Sequence, residues 1–229
     1  LQRRALAIEA AGLALSPRLQ SDAAHAGYTQ NRGLMQISDG FEGAHQSSLF
    51  FQSGRFIASG DDGQMERDGE GRSTRFLSDL PDVADIGRTG AERALAALGA
   101  RKLDTQKTAV IFDQRVARSL IGPLLGAISG SMIARGSSFL KDRLGQKIFG
   151  DSIQIVDDPL RPRGLGSCLF DDEGVTAERR ALIADGVLTT WLLNSSAARQ
   201  LGLTTTGHAS RGLAGAPGVS AHNVVLAAG

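Results

Sequence analysis

Residues 136–174 read GSSFLKDRLGQKIFGDSIQIVDDPLRPRGLGSCLFDDEG. The stretch is dense in glycine, paired aspartates and arginine, and it follows a long apolar segment. Its carboxylates cluster as Asp157-Asp158 before Pro159 and as Asp171-Asp172-Glu173 before Gly174. Neighbouring strand residues point to opposite faces, so such pairs do not form an acid–base dyad on a strand. They are expected to do turn and capping chemistry. Gly164-Leu165-Gly166 begins a dinucleotide-binding pattern, but Leu169 stands where its third glycine belongs, and the fingerprint fails. Cys168 is the single cysteine. It allows no intramolecular disulfide and no cysteine-rich metal site, and no base is indicated beside it. It reads as a small, partly buried residue in a chain suited to a reducing compartment.

Upstream, Gln114 to about Arg135 predicts one long helix in which Val116, Leu120, Leu124, Ile128 and Met132 repeat every four residues. Pro123 lies inside it, so the helix either starts later, with Pro123 in its first turn, or kinks there. Gly122, Gly126 and Gly130 at four-residue spacing predict close packing. Thr108 to Phe112 predicts a buried strand before the helix. Downstream, Glu178 to Leu193 predicts a hairpin turning at Asp185-Gly186. Ser195 to Leu201 predicts a short helix closed by Gly202.

Toward the N-terminus, Arg3–Leu15 predicts a helix stopped by Ser16-Pro17. Residues 25–76 predict an antiparallel meander punctuated at Asp39-Gly40, Ser53-Gly54, Asp62-Gly63 and Asp68-Gly69. Asp82 to Leu98 predicts a helix with Asp82 as N-cap and Gly99 closing it. The expected class is therefore α+β. A helix–meander–helix domain over 1–104 precedes a mixed, strand-rich second domain over 105–229. The chain opens without methionine and ends just after the apolar run at 223–226, whose strand has no visible partner after it. It reads as a piece of a longer protein that lacks its start and a C-terminal part.

The 229 residues are 41% apolar and 21% charged, with a formal net charge of +1. Nothing in this balance predicts a polyanion-binding surface, so no direct nucleic-acid partner is expected. No apolar stretch approaches the ~20 residues needed to cross a bilayer. The four histidines, His25, His45, His208 and His222, lie off the long helix, and no two are spaced three or four apart. A metalloprotease helix needs two histidines on one face and a glutamate base. His208 and His222 could meet in space, but nothing in the sequence requires it. Residues 206–212 (TGHASRG) predict a glycine-rich surface loop of the kind that lines clefts. Its His208 and Arg211 are the candidates for peptide contact.

Several separated motifs occur in one order: Arg-Gly-Ser-Ser-Phe-Leu at 135–140, Asp-Arg-Leu-Gly-Gln at 142–146, Asp-Asp-Pro at 157–159, Arg-Gly-Leu-Gly-Ser at 163–167, Trp-Leu-Leu at 191–193 and Thr-Gly-His-Ala at 206–209. On these the chain resembles the TldD/PmbA family, the so-called modulators of DNA gyrase, best over 113–226. The resemblance implies a component of a cytoplasmic zinc metalloprotease. Metal-bearing members carry His-Glu-x-x-x-His on the helix before the segment matching Gly136-Ser137-Ser138. Those positions fall on Ile121, Gly122 and Gly126, none of which can bind zinc or act as a base. The chain is thereby similar to the PmbA, or TldE, type. The resemblance then implies no catalytic residue, no metal and no cofactor in this chain, with zinc in a TldD-type partner subunit. It also implies a heterodimer acting on unfolded peptides in peptide-antibiotic maturation and antitoxin degradation, with an indirect gyrase link; a homodimer belongs to the alternative of a stand-alone binding module. Edge strands could bind extended peptide through backbone hydrogen bonds. A stand-alone peptide- or protein-binding module, and a hydrolase with an unrecognised site, remain as alternatives.

Overall fold

The computed structural model describes residues 1–212 and 214–227. They group into two units: residues 1–32 with 46–108, and residues 33–45 with 109–229.

Along residues 1–108, helix α1 (Gln2–Leu13) leads into strands β1 (Leu19–Gln36), β2 (Glu42–Ser59) and β3 (Met65–Thr74), and helix α2 (Val83–Ala96) follows. The strands form one sheet in the order β1-β2-β3, with β2 and β3 antiparallel. The predicted meander is present, but its strands are fewer and longer. Asp39-Gly40 and Asp62-Gly63 do turn, with Gly40 and Gly63 at positive φ. Ser53-Gly54 and Asp68-Gly69 do not: they lie inside strands, where Arg55 faces Gly69 and Gly54 faces Glu70. These glycines serve close approach rather than chain reversal. A Cβ on Gly54 would press on Ile8 of α1, and one on Gly90 of α2 would press on the Gly54 carbonyl. The helices settle on bare backbone, burying Ile8, Phe56, Ala58, Ala91 and Ala94. Asp82 caps α2 as expected, its Oδ1 accepting from the Ala84 N–H at 2.7 Å. The Arg93 guanidinium of α2 pairs with the buried Glu70 of β3.

In the second unit the predicted strand at 108–112 is absent. The run is irregular, Ile111 is 98% exposed, and no strand among the described residues pairs with it. The predicted long helix is broken into α3 (Gln114–Ala117), a 3₁₀ turn, α4 (Ile121–Ala127) and α5 (Gly130–Ala134). Pro123 falls in the first turn of α4, where its missing N–H costs nothing. The second break is at Ser129, whose backbone is extended. There the Leu192 N–H donates to the Ile128 carbonyl at 2.9 Å, and the Gly130 N–H donates to the Leu192 carbonyl at 2.8 Å. Tertiary hydrogen bonds thus replace helical ones. Of the apolar stripe, Leu124 and Ile128 are buried, while Val116, Leu120 and Met132 are exposed. Gly130 is the tightly packed glycine of the three, against Leu192, Leu193 and Ala197, while Gly122 and Gly126 face open space.

Four short antiparallel strands follow: β4 (Ile155–Asp157), β5 (Arg180–Ala184), β6 (Val187–Leu188) and, after helix α6 (Ser195–Leu201) and the β7 (Ala209–Ser210)–β8 (Gly218–Val219) pair, β9 (Val224–Leu226). Their order is β6-β5-β4-β9. The β5–β6 turn has Asp185 and Gly186 both at positive φ, the geometry an Asp-Gly hairpin predicts. The apparently partnerless final strand pairs with β4, earlier in the chain. Leu124, Ile128, Leu140, Ile155, Leu182, Ile183, Leu188 and Leu192 form the core of this unit.

Candidate functional site

Alternation along β4 turns Ile155 and Asp157 to one face, and both are buried. Asp158, the next residue, turns away, and its Oδ1 accepts from the Leu160 N–H at 3.0 Å. Asp157 is therefore a carboxylate carried into the interior by the strand's own period. Two histidines meet it there. His208, just before β7, places Nε2 3.0 Å from Asp157 Oδ2. His222, just before β9, places Nδ1 2.8 Å from the same oxygen. The backbone N–H of His222 donates to Asp157 Oδ1 at 3.0 Å, and the two rings lie 4.9 Å apart. On its far side, His208 Nδ1 is 2.8 Å from Thr206 Oγ1.

The electrostatics follow from this arrangement. Burial alone would raise the Asp157 pKa, but the hydrogen bonds from His208 and His222 hold the carboxyl well below the usual carboxylate range. Burial alone would lower that of His222, but its hydrogen bonds to Asp157 and then Cys168 push it up to about 9. At neutral pH Asp157 and His222 are thus an ion pair, with His208 as a second donor to the same carboxylate. Cys168, read from sequence without a base nearby, has His222 as its neighbour. The Gly166 backbone packs so closely on His222 that a Cβ there would clash with the His222 carbonyl. Asn223 fixes the same loop, accepting from the Gly166 N–H at 2.9 Å. The glycines that resemble a nucleotide loop in sequence serve this close approach.

The other carboxylates accept from backbone N–H groups, some in local turns and some in distant segments. Asp171 Oδ1 accepts from the Glu173 and Val175 N–H groups at 2.9 and 3.0 Å. Asp172 Oδ2 accepts from the Arg211 N–H at 2.7 Å, and Glu173 Oε2 from the Ser195 N–H at 2.8 Å.

Residues 206–209 are buried, so the expected surface loop is partly interior. Of the two candidates for peptide contact, His208 is enclosed with both ring nitrogens engaged, and Arg211 is exposed. The two do not form one surface. Sequence reasoning missed the grouping of Asp157 with His208 and His222. The one local signal was the in–out alternation of Ile155-Val156-Asp157, which marks Asp157 as inward; nothing local marks the histidines.

Similarity to known proteins fits this architecture. A profile of the PmbA/TldA metallopeptidase central domain matches residues 2–98. A profile of the PmbA/TldA metallopeptidase C-terminal domain matches residues 105–229, more than half of the chain. The chain belongs to the PmbA/TldD family. Metalloprotease PmbA of Escherichia coli O157:H7 is 46% identical over 153 residues, 67% of this chain and 34% of that protein. A PmbA homolog from Haemophilus influenzae is 33% identical over 182 residues, 80% of this chain and 39% of that protein. A candidate modulator of DNA gyrase from Bacteroides thetaiotaomicron superposes with a TM-score of 0.89 at 26% identity, over all of this chain and 49% of that one. TldE from Thermococcus kodakarensis shares the fold with a TM-score of 0.86 at 19% identity, over all of this chain and 52% of that one. The chain thus spans about a third of the curated relatives and about half of the solved ones.

The zinc that a metallopeptidase family implies does not fit the helix at 121–127. Ile121 offers hydrocarbon, and Gly122 and Gly126 offer no side chain and border open space. Among the described residues, the grouping of donors suited to an ion is Asp157, His208 and His222.

Proposed function

We propose that this chain is part of a non-catalytic, PmbA/TldE-type subunit of a two-component zinc metalloprotease acting on unfolded peptides. The observation that carries the reading is the donor-free α4: Ile121, Gly122 and Gly126 stand where metal-bearing members have two ligands and a general base. Without them the helix can polarise neither a water nor a carbonyl. Zinc and the base are then supplied by a TldD-type partner. The exposed apolar run Val110-Ile111-Phe112 and the 82% exposed Phe139 support a role within an assembly. The exposure of Arg211 on its loop supports it as a peptide contact, and His208, buried and bonded at both ring nitrogens, would serve by holding the segment. A near-neutral chain favours an indirect link to gyrase over DNA contact.

The experiment is affinity capture of the full-length protein from extract of its own cell. Co-purification of a relative bearing His-Glu-x-x-x-His is the expected result. A homodimer with no such chain would replace this reading by that of a stand-alone binding module.

A further inference from the structure

Three segments remote in sequence deliver donor atoms to one buried point in the second unit, where the Asp157, His208 and His222 ligand atoms lie within 4.8 Å of one another. We propose that Asp157, His208 and His222 bind one divalent transition-metal ion of the zinc class, at a place distinct from the helix where the family's metal-bearing members hold theirs.

The donor set argues for that class. Two imidazole nitrogens and one carboxylate oxygen suit zinc, cobalt(II) or iron(II), whereas calcium and magnesium call for oxygen ligands. The surroundings match those of ligating side chains, whose outward atoms are held by other groups. His208 Nδ1 is held by Thr206 Oγ1 at 2.8 Å, and Thr206 Oγ1 in turn accepts from the Leu193 N–H at 2.7 Å. Asp157 Oδ1 is held by the His222 N–H, which leaves Oδ2 to face both rings. Metal–ligand bonds of about 2.0–2.2 Å in a tetrahedral site place donors roughly 3.3 Å apart. The carboxylate oxygen stands 3.0 and 2.8 Å from the two ring nitrogens and would part from each by a few tenths of an ångström, and all three donors lie within 4.8 Å of one another. Asp157 and His208 are fully buried and the His222 side chain is only 10% exposed, so the ion is a clasp: it ties β4 to the segments that lead into β7 and β9.

The test uses the chain stripped with chelator and then titrated with zinc chloride by calorimetry and with cobalt(II) by visible absorption. The expected result is saturation at one ion per chain, a higher melting temperature with zinc, and zinc-induced movement of the 15N ring signals of His208 and His222 but not of the exposed His25 and His45. His208→Gln and His222→Asn each keep an amide N–H where the ring nitrogen faces Asp157. Both should fold without metal and bind zinc at least about tenfold more weakly. Absence of stoichiometric binding, or binding that survives both variants, overturns the site. Should a variant fail to fold, the ring signals of the unsubstituted chain decide: unmoved His208 and His222 signals overturn it.

Discussion

Helix α4 and the Asp157 cluster, both in the second unit, are opposites. On α4 there is room and no donor: Gly122 and Gly126 are exposed with nothing close to them. Around Asp157 there are donors, drawn close together: a fully buried carboxylate receives two imidazoles and a backbone N–H. The helix offers no donor side chain at Ile121, Gly122 or Gly126 and packs through Leu124 and Ala127. The cluster keeps polar groups that a pure packing role would not require, because unpaired they would be costly in the interior. Absence of a motif and presence of chemistry are therefore separate questions in this fold.

Substitutions can break or sharpen that contrast. The largest effect is expected for Asp157→Ala, which strands both imidazoles and the His222 N–H in the interior. It should cost about 3–5 kcal/mol, as removing one partner of a buried ion pair does. Urea unfolding would read this, and a loss under about 1 kcal/mol would mean that the cluster does not hold the unit together. Gly166→Ala should cost roughly 1–3 kcal/mol, because its Cβ meets backbone at His222 rather than a movable side chain. An unchanged midpoint would place that loop elsewhere.

The pH response of the metal-free chain is next in size. His222 is raised from 6.5 to about 9, so its contribution is whole below pH 6.5 and is lost as pH rises toward 9. Asp157 is depressed, so its contribution is present above its ordinary value of 3.8 and fades only in stronger acid. Stability of the chelator-stripped chain should thus decline from pH 6.5 to 9, and His222→Asn should flatten that decline. A wild-type profile that rises across this interval would contradict the ion pair. The smallest effect is expected on α4, where Gly122→Ala and Gly126→Ala should each stabilise by up to about 1 kcal/mol through helix propensity. Destabilisation would show that this face is covered.

Sequence made legible what local chemistry decides. Asp82 at the start of α2, Asp185-Gly186 in the hairpin and Gly202 closing α6 act through neighbours a few residues away. It misled where distant packing decides. Gly54 and Gly69 look like turn glycines, yet they are flat backbone under helices. The helix breaks at Ser129 because Leu192, more than sixty positions later, takes over its hydrogen bonding. Thr108–Phe112 has the composition of a strand, but a strand also needs a neighbour. Within the site, the alternation that turns Asp157 inward could be read from Ile155-Val156-Asp157. The meeting of His208 with His222 could not, since it depends on where β7 and β9 start.

The most direct test of the account is peptide cleavage by the purified full-length protein, alone with added zinc and together with a His-Glu-x-x-x-His-bearing relative, each with and without chelator. The account predicts no cleavage by the protein alone, even when zinc is present, and chelator-sensitive cleavage by the pair. Cleavage by the protein alone would contradict it, because a helix with Ile121, Gly122 and Gly126 in place of ligands and base would then not be the measure of its chemistry.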